Sequence, residues 1–196
     1  MNLPNKLTIS RIILSFVFLL FLFLPGVACK ALALFVFLLA SFTDVLDGFL
    51  AKKKNMVTDF GKLMDPIADK VLILAAFLGF VEMRLIPAWM AVIIVFRELL
   101  ITGMRVLALS KKKVLPADAG GKHKMISQVL SIFCILLFLI FREAGVEIFK
   151  FWNPEVERIF KNTIFALMLI TVTLTVISGV SYLIRNRGLY RNVKAR

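Results

Sequence analysis

Long apolar stretches alternate with short polar and basic segments along the whole chain. Six stretches approach or exceed the roughly 18–20 apolar residues that a bilayer-spanning helix needs. They cover about residues 9–24, 30–51, 62–81, 87–109, 125–141 and 158–184. Pro25, Pro87 and Pro154 fall in or beside the connections, where residues that break helices are expected. The pattern predicts an all-α integral membrane protein with six transmembrane helices and a short juxtamembrane segment over residues 1–8.

Composition agrees with this prediction. Of the 196 residues 60% are hydrophobic and 19 are Phe, whereas a soluble domain is about 45–50% apolar. No separate soluble domain and no internal repeat is evident, so we expect one transmembrane domain over residues 1–196. The first long apolar run, residues 12–24, ends without a convincing cleavage site for a signal peptide. Two cysteines are too few for a disulfide framework.

The net charge of +13 would suggest nucleic acid in a soluble protein. In so apolar a chain it instead favours anionic membrane lipids and a positive-inside topology, and no nucleic-acid-binding module is present. Most basic residues collect on one side if both termini are cytoplasmic, including residues 52–54, 111–113 and the C-terminal tail. We therefore expect a multi-pass protein of the inner (cytoplasmic) membrane with both termini inside.

Four aspartates lie inside or beside the apolar stretches, in two pairs. Asp44 and Asp47 are three residues apart near the end of the second stretch. Asp65 and Asp69 are four residues apart near the start of the third. Residues at these spacings share a helix face. Because the connecting loop is short, the two helices should be antiparallel neighbours whose acidic faces converge at cytoplasmic headgroup depth.

Such a group of carboxylates requires a cation, since each ionised carboxylate near the bilayer core costs about 2.5–3.5 kcal/mol. Hard oxygen ligands suit Mg²⁺ or Mn²⁺, and Mg²⁺ usually keeps open positions for water and substrate phosphate. A single aspartate would more simply pair with Lys70 or Arg97. Asp59, in the loop, is expected to be a solvated charge or a helix-start residue.

Small residues accompany the aspartates. Gly48 follows Asp47, Ala51 lies one turn further on, and Gly61 precedes the second pair by four residues. Glycine removes a side chain where a backbone or ligand must come close. A diphosphate fits such a bare surface, and Lys52 would add a cation for it.

These residues resemble the signature of the CDP-alcohol phosphotransferase family. The signature reads Asp-x-x-Asp-Gly-x-x-Ala-Arg, about eight residues, then Gly-x-x-x-Asp-x-x-x-Asp. The matching positions are Asp44, Asp47, Gly48, Ala51, Gly61, Asp65 and Asp69, with eight residues between the two halves. Lys52 stands where the family usually has Arg, which keeps the charge and loses bidentate phosphate geometry. The six-span hydropathy agrees with the family fold.

Other segments are similar to the family's subgroup that uses glycerol 3-phosphate. They are residues 3–11, 65–70, 97–105 and 121–124. The resemblance implies transfer of a phosphatidyl group from CDP-diacylglycerol to sn-glycerol 3-phosphate, with release of CMP, in phospholipid biosynthesis. It also implies a homodimer.

The resemblance further implies roles for individual residues. The four aspartates would hold one or two divalent ions, and Asp69 would also be the general base. Asn5 and Thr8 would contact the cytidylyl group; otherwise they cap the first helix.

The acceptor carries a phosphate of its own, which requires a basic pocket. Arg97 and Arg105 lie eight residues apart and share a face of the fourth span, and Lys122 and Lys124 start the fifth. We expect these four residues to form the pocket. Arg97 could instead be paired with Glu98 or an aspartate, and the other three could be ordinary positive-inside charge.

Two other functions remain open at this point. The first keeps the family and changes the acceptor to inositol phosphate, serine or another lipid. The second is a divalent-cation transporter, which would place carboxylates near the midplane and use paired broken helices.

Overall fold

A computed structural model describes the backbone over residues 3–54, 59–110, 119–150 and 152–187. Side chains are described over residues 9–43, 70–108, 124–150 and 152–187. These ranges contain six α-helices and no β-strand, which confirms the all-α prediction. The helices are α1 (Leu3–Phe23), α2 (Val27–Lys54), α3 (Asp59–Glu82), α4 (Ala88–Ser110), α5 (Ala119–Glu147) and α6 (Pro154–Arg185).

Each helix coincides with one predicted apolar stretch, and several extend past it. Residues 3–8 are the first turns of α1, so the expected juxtamembrane segment is continuous with that helix. Among the residues with described side chains, two helical segments are long and apolar enough to cross a membrane, Lys124–Glu147 and Pro154–Arg185. Ile9–Phe23 and Val27–Thr43 are shorter apolar helical segments.

The connections use the residues expected of helix boundaries. Gly26, between α1 and α2, has a φ of 97°, a conformation that costs glycine nothing. Asn153 caps α6 by accepting a hydrogen bond from the Val156 amide at 2.9 Å, and Pro154 occupies the first helical position. The chain can therefore reverse direction between consecutive helices.

Helix α1 packs against both α2 and α3, while α5 packs against α2 and α6. Helix α4 lies against α3 and α6. Within the described residues, α2 and α3 touch each other much less than either touches α1. The sequence predicted that α2 and α3 are direct neighbours. Within the described residues, they are connected mainly through their shared contacts with α1.

Phenylalanine dominates the packed interior. Phe18, Phe37, Phe77 and Phe80 are fully buried, and the rings of Phe18 and Phe37 lie 6.0 Å apart. Many other large apolar side chains point outward on every helix, among them Phe16, Phe35, Phe96, Phe141 and Ile177. A soluble monomer rarely exposes contiguous apolar surface on this scale, so the exterior suits lipid.

The alternating helix directions give the bundle two ends. One end, which we call the far end, joins α1 to α2, α3 to α4 and α5 to α6. There the Val27 amide donates to Glu147 Oε2 at 3.4 Å, which connects α2 with the end of α5. The opposite end, the aspartate end, gathers the last turns of α2 and the first turns of α3 and α5.

Candidate functional site

The aspartate motif lies at one end of the bundle, as predicted. Asp44 and Asp47 belong to the C-terminal part of α2, and Asp65 and Asp69 to the first turns of α3. The backbone is helical at all four positions, so the spacings of three and four residues apply to real helices. Their side chains lie outside the described residues, as do those of Gly48, Ala51, Lys52 and Gly61.

The donor set suits a hard divalent ion. Carboxylate oxygens from two helix termini at one end are the ligands that Mg²⁺ and Mn²⁺ prefer. Among the side chains that the structure describes, no group of three or more His, Cys, Asp or Glu residues could hold a metal ion.

A buried charged cluster lies towards the same end, between α4, α5 and α6. Glu98 Oε1 accepts hydrogen bonds from Lys124 Nζ and, at 3.4 Å, from Arg97 Nη1. Arg97 Nη2 donates to Ser178 Oγ at 2.9 Å. The Arg97 side chain is 12% exposed and those of Glu98 and Lys124 are 8% exposed. We call Arg97, Glu98 and Lys124 the charged cluster.

The charged cluster carries a positive excess. Its two cations share one carboxylate, so one positive charge has no partner within the cluster. Burying an uncompensated charge is costly, and proteins that do so usually supply a counter-charge from a ligand or a neighbour. An anion such as a phosphate fits that need.

The start of α3 is tied to this cluster. Lys70 follows Asp69 directly, and its Nζ donates to Thr102 Oγ1 on α4. Thr102 Oγ1 in turn donates to the Glu98 carbonyl at 2.7 Å. The backbone that carries Asp69 is thereby held beside the helix that carries Arg97 and Glu98.

The structure brings together two of the four residues predicted for the acceptor pocket. Arg97 and Lys124 meet at Glu98, although they are separated by 27 positions in sequence. Lys124 is 6% exposed, so its side chain is buried against Glu98. For Arg97 the alternative pairing with Glu98 is present, and Ser178 is a second partner.

Of the other predicted residues, Arg105 has a described side chain and does not join the charged cluster. Arg105 is exposed, about two turns beyond Arg97 on α4. Lys122 lies in the first turn of α5, with its side chain outside the described residues. Asn5 and Thr8 lie inside α1, whose first described residue is Leu3, so the alternative that they cap this helix is wrong. Their side chains are also outside the described residues.

Sequence reasoning missed the central position of Glu98 and the part played by α6. Glu98 is an acidic residue inside an apolar stretch, so the rule applied to the aspartates would have identified it. Ser178 and Gly179 form a small, adjacent pair within an otherwise apolar helix. That pair was the feature of the sequence that could have indicated a close contact between α6 and another helix.

A row of polar side chains continues from the cluster into the bundle between α5 and α6. Gln128 Nε2 donates to Thr175 Oγ1 at 3.5 Å, and the hydroxyls of Ser131 and Thr171 lie 2.6 Å apart. All four side chains are buried. We call them the polar seam. Hydrogen bonds of this kind hold apolar helices in register where lipid gives no hydrophobic driving force.

Comparison with known proteins places the chain among relatives of one family. The profile of the CDP-alcohol phosphatidyltransferase family matches residues 1–185. A Bacillus subtilis protein named CDP-diacylglycerol–glycerol-3-phosphate 3-phosphatidyltransferase is 39% identical over 149 residues, which cover 69% of this chain and 77% of that protein.

Two further relatives extend the coverage. A Mycobacterium tuberculosis protein named probable phosphatidylglycerophosphate synthase is 37% identical over 188 residues, 94% of this chain and 81% of its own length. A Rickettsia felis protein with the same name as the Bacillus subtilis protein is 35% identical over 136 residues, which cover 69% of this chain and 75% of that protein. The family expected from the aspartate signature is therefore confirmed.

Proposed function

Because this chain belongs to the CDP-alcohol phosphatidyltransferase family, we propose that it transfers the phosphatidyl group of CDP-diacylglycerol to sn-glycerol 3-phosphate. The products are phosphatidylglycerophosphate and CMP, and the process is phospholipid biosynthesis. The similarity to relatives named for this reaction supports the proposal. The observation that carries it is the buried positive excess of the charged cluster at the aspartate end, which fits an acceptor that is itself a phosphate.

In the proposed reaction, the free primary hydroxyl of glycerol 3-phosphate attacks the β-phosphorus of CDP-diacylglycerol. A new phosphorus–oxygen bond forms, and the bond from that phosphorus to the bridging oxygen of CMP breaks. The hydroxyl proton passes to the carboxylate of Asp69, and CMP leaves with the electron pair. Positioning and charge neutralisation supply most of the rate in phosphoryl transfer.

Members of this family generally use divalent metal ions. We propose that Asp44, Asp47, Asp65 and Asp69 hold one or two ions, Mg²⁺ or Mn²⁺. When bound, such an ion neutralises the diphosphate and stabilises the departing CMP. The bare surface of Gly48, Ala51 and Gly61 leaves room for the diphosphate, with Lys52 as an added cation.

The remaining site residues divide by substrate. Arg97 and Lys124 receive the acceptor's phosphate, with Arg105 and Lys122 nearer the entrance. Asn5 and Thr8 contact the cytidylyl group. Lys70, held by Thr102, keeps the start of α3 next to this pocket, which a base at Asp69 requires.

The two apolar helices, taken with the family, indicate a membrane protein. We propose that all six helices cross the inner membrane, with both termini and the aspartate end facing the cytoplasm, where basic residues concentrate. Residues 1–196 form one domain that acts as a homodimer. CDP-diacylglycerol then reaches the site from the bilayer and glycerol 3-phosphate from the cytoplasm.

The proposal is tested by incubating purified protein in detergent with CDP-diacylglycerol, Mg²⁺ and labelled glycerol 3-phosphate. We expect phosphatidylglycerophosphate from the wild type and a loss of at least about 10²-fold in kcat for Asp69→Asn, because a positioned base contributes about 10²–10⁴-fold. Asp59→Asn, at the first residue of α3 and outside the motif, is the matched control and should keep its activity.

Parallel reactions with inositol phosphate and with serine test the acceptor. Product from either of these and none from glycerol 3-phosphate would overturn the proposed acceptor and keep the family chemistry. Full activity of Asp69→Asn would remove Asp69 from the role of base.

A further inference from the structure

Gly179 lies where the side chain of Arg97 crosses α6. A Cβ atom added at Gly179 would stand 3.1 Å from Arg97 Cγ and 3.8 Å from Arg97 Nε. Glycine destabilises a helix relative to alanine, so its presence in the middle of α6 is explained by this close approach. The arginine stem therefore rests directly on the α6 backbone.

The guanidinium group of Arg97 is held from two further directions. Nη2 donates to Ser178 Oγ at 2.9 Å, and Nη1 lies 3.4 Å from Glu98 Oε1. A free arginine side chain has many rotamers, and fixing it in one costs conformational entropy each time a ligand binds. Contacts that fix the rotamer beforehand remove that cost from ligand binding.

One donor of the same side chain has no hydrogen-bond partner among the described residues. Arg97 Nε is buried and makes no hydrogen bond within the part of the chain that the structure describes. Together with the positive excess of the charged cluster, this donor indicates that the fixed arginine is prepared for an anion. A planar guanidinium is the side chain best suited to bind phosphate oxygens with directed hydrogen bonds.

We propose that Ser178 and Gly179 of α6 are positioning residues that hold Arg97 in the pose that binds the acceptor's phosphate. Gly179 supplies the space for the arginine stem, and Ser178 anchors its guanidinium group. Neither residue touches the reacting atoms. The inference rests on the proposed function, because it assigns the determinant of acceptor affinity within that site.

The test uses three Gly→Ala variants of the full-length enzyme in the assay described above. A Cβ at Gly179 requires the Arg97 stem to shift by a few tenths of an ångström, which disturbs the fixed guanidinium, so we expect KM for glycerol 3-phosphate to rise by up to about tenfold, the effect of roughly one lost hydrogen bond to a charged group. KM for CDP-diacylglycerol should change less than about twofold, because that substrate uses other residues.

Two matched controls separate this effect from a general cost of adding a methyl group. A Cβ at Gly103 on α4 would meet nothing within 4 Å, so Gly103→Ala should leave both KM values unchanged. A Cβ at Gly79 on α3 would stand 2.6 Å from Leu22 Cδ2, a clash in the core. Gly79→Ala should lower the melting temperature without a selective change in acceptor KM.

A double-mutant cycle shows whether Gly179 acts through Arg97. In an Arg97→Ala background, Gly179→Ala should cause no further rise in acceptor KM, since the group that it displaces is gone. Ser178→Ala should raise acceptor KM about threefold, less than the Arg97 truncation, and Ser178→Thr, which keeps a hydroxyl, should restore most of it. The Ser178 variants decide the question if Gly179→Ala does not fold.

Each possible failure points to a different conclusion. If wild type makes no phosphatidylglycerophosphate, the proposed function is wrong. If wild type is active and both Gly179→Ala and Ser178→Ala match Gly103→Ala in acceptor KM, the positioning inference is overturned. Equal rises in KM for both substrates, or additive effects in the cycle, would also overturn it.

Discussion

Among the described side chains, one lysine is buried at each end of the bundle, and the two lysines are held in different ways. At the far end, Lys30 is 3% exposed and its Nζ donates to the Leu22 and Leu24 carbonyls at 2.7 and 2.8 Å. These carbonyls belong to the last turn of α1 and the residue after it, where helices leave acceptors unsatisfied. At the aspartate end, Lys124 is paired with a carboxylate that also serves Arg97.

The difference separates a cation that caps a helix from a cation that shares its carboxylate with a second cation. Lys30 completes α1 by capping its carbonyls, and its positive charge also suits the negative end of the helix dipole. Among the described side chains, Lys124 belongs to a cluster in which two cations share one carboxylate. Burial alone does not distinguish the two residues; the partners of each ammonium group do.

Removing the shared carboxylate is expected to have the largest effect on stability. Glu98→Ala leaves the cations of Arg97 and Lys124 buried without a counter-charge, which should lower the free energy of unfolding by about 3–5 kcal/mol. Thermal or SDS unfolding in detergent measures this change. Adding Lys124→Met should recover part of the loss, because one uncompensated cation is removed with it. A decrease below about 1 kcal/mol would show that the cluster is solvated.

Replacing the capping lysine should have a smaller effect that is confined to stability. Lys30→Met keeps much of the side-chain volume and leaves the Leu22 and Leu24 carbonyls without their donor, at an expected cost of about 1–3 kcal/mol. KM for glycerol 3-phosphate should stay at the wild-type value. A selective rise in that KM would contradict the assignment of Lys30 to structure alone.

The smallest effect is expected at the exposed ion pairs of the far end. Glu157 contacts Arg142 at 3.4 Å and Lys161 at 3.2 Å, and the Lys161 side chain is 54% exposed. Lys161→Gln should lower stability by less than about 0.5 kcal/mol, and added salt should shrink the difference. Measuring unfolding at two salt concentrations tests both statements. A large loss of stability that does not depend on salt would contradict this prediction, because it would show that the ion pair is shielded from solvent like the charged cluster.

The sequence predicted the existence and order of the helices because hydropathy marks each apolar stretch, although α5 (Ala119–Glu147) begins before and ends after its predicted stretch. Pro87 immediately precedes α4 and Pro154 begins α6. Proline is tolerated at a helix start but disrupts a helix interior. The aspartate spacing was equally informative, since helical periodicity relates residues three and four apart without any tertiary information.

The composition of the charged cluster could not be predicted in the same way. Arg97 and Lys124 were expected in one pocket, but their shared partner depends on how α4 and α5 pack. The contribution of Ser178 and Gly179 depends on which face of α6 meets α4. Helical periodicity groups the hydroxyl-bearing residues of α6 on one face but does not show which neighbouring helix that face meets.

The polar seam has a consequence for α6 as a whole. The buried small and hydroxyl-bearing residues of α6, two of which belong to the polar seam, recur along one side of the helix, at Thr171, Thr175, Ser178, Gly179 and Tyr182, while Ile170, Ile177 and Ile184 point outward. Turning α6 about its axis would carry hydroxyl groups into lipid and bulky side chains into the arginine's space. Random mutagenesis should therefore find that α6 tolerates substitutions at its outward-facing positions, such as Ile170, Ile177 and Ile184, and does not tolerate them at its buried positions.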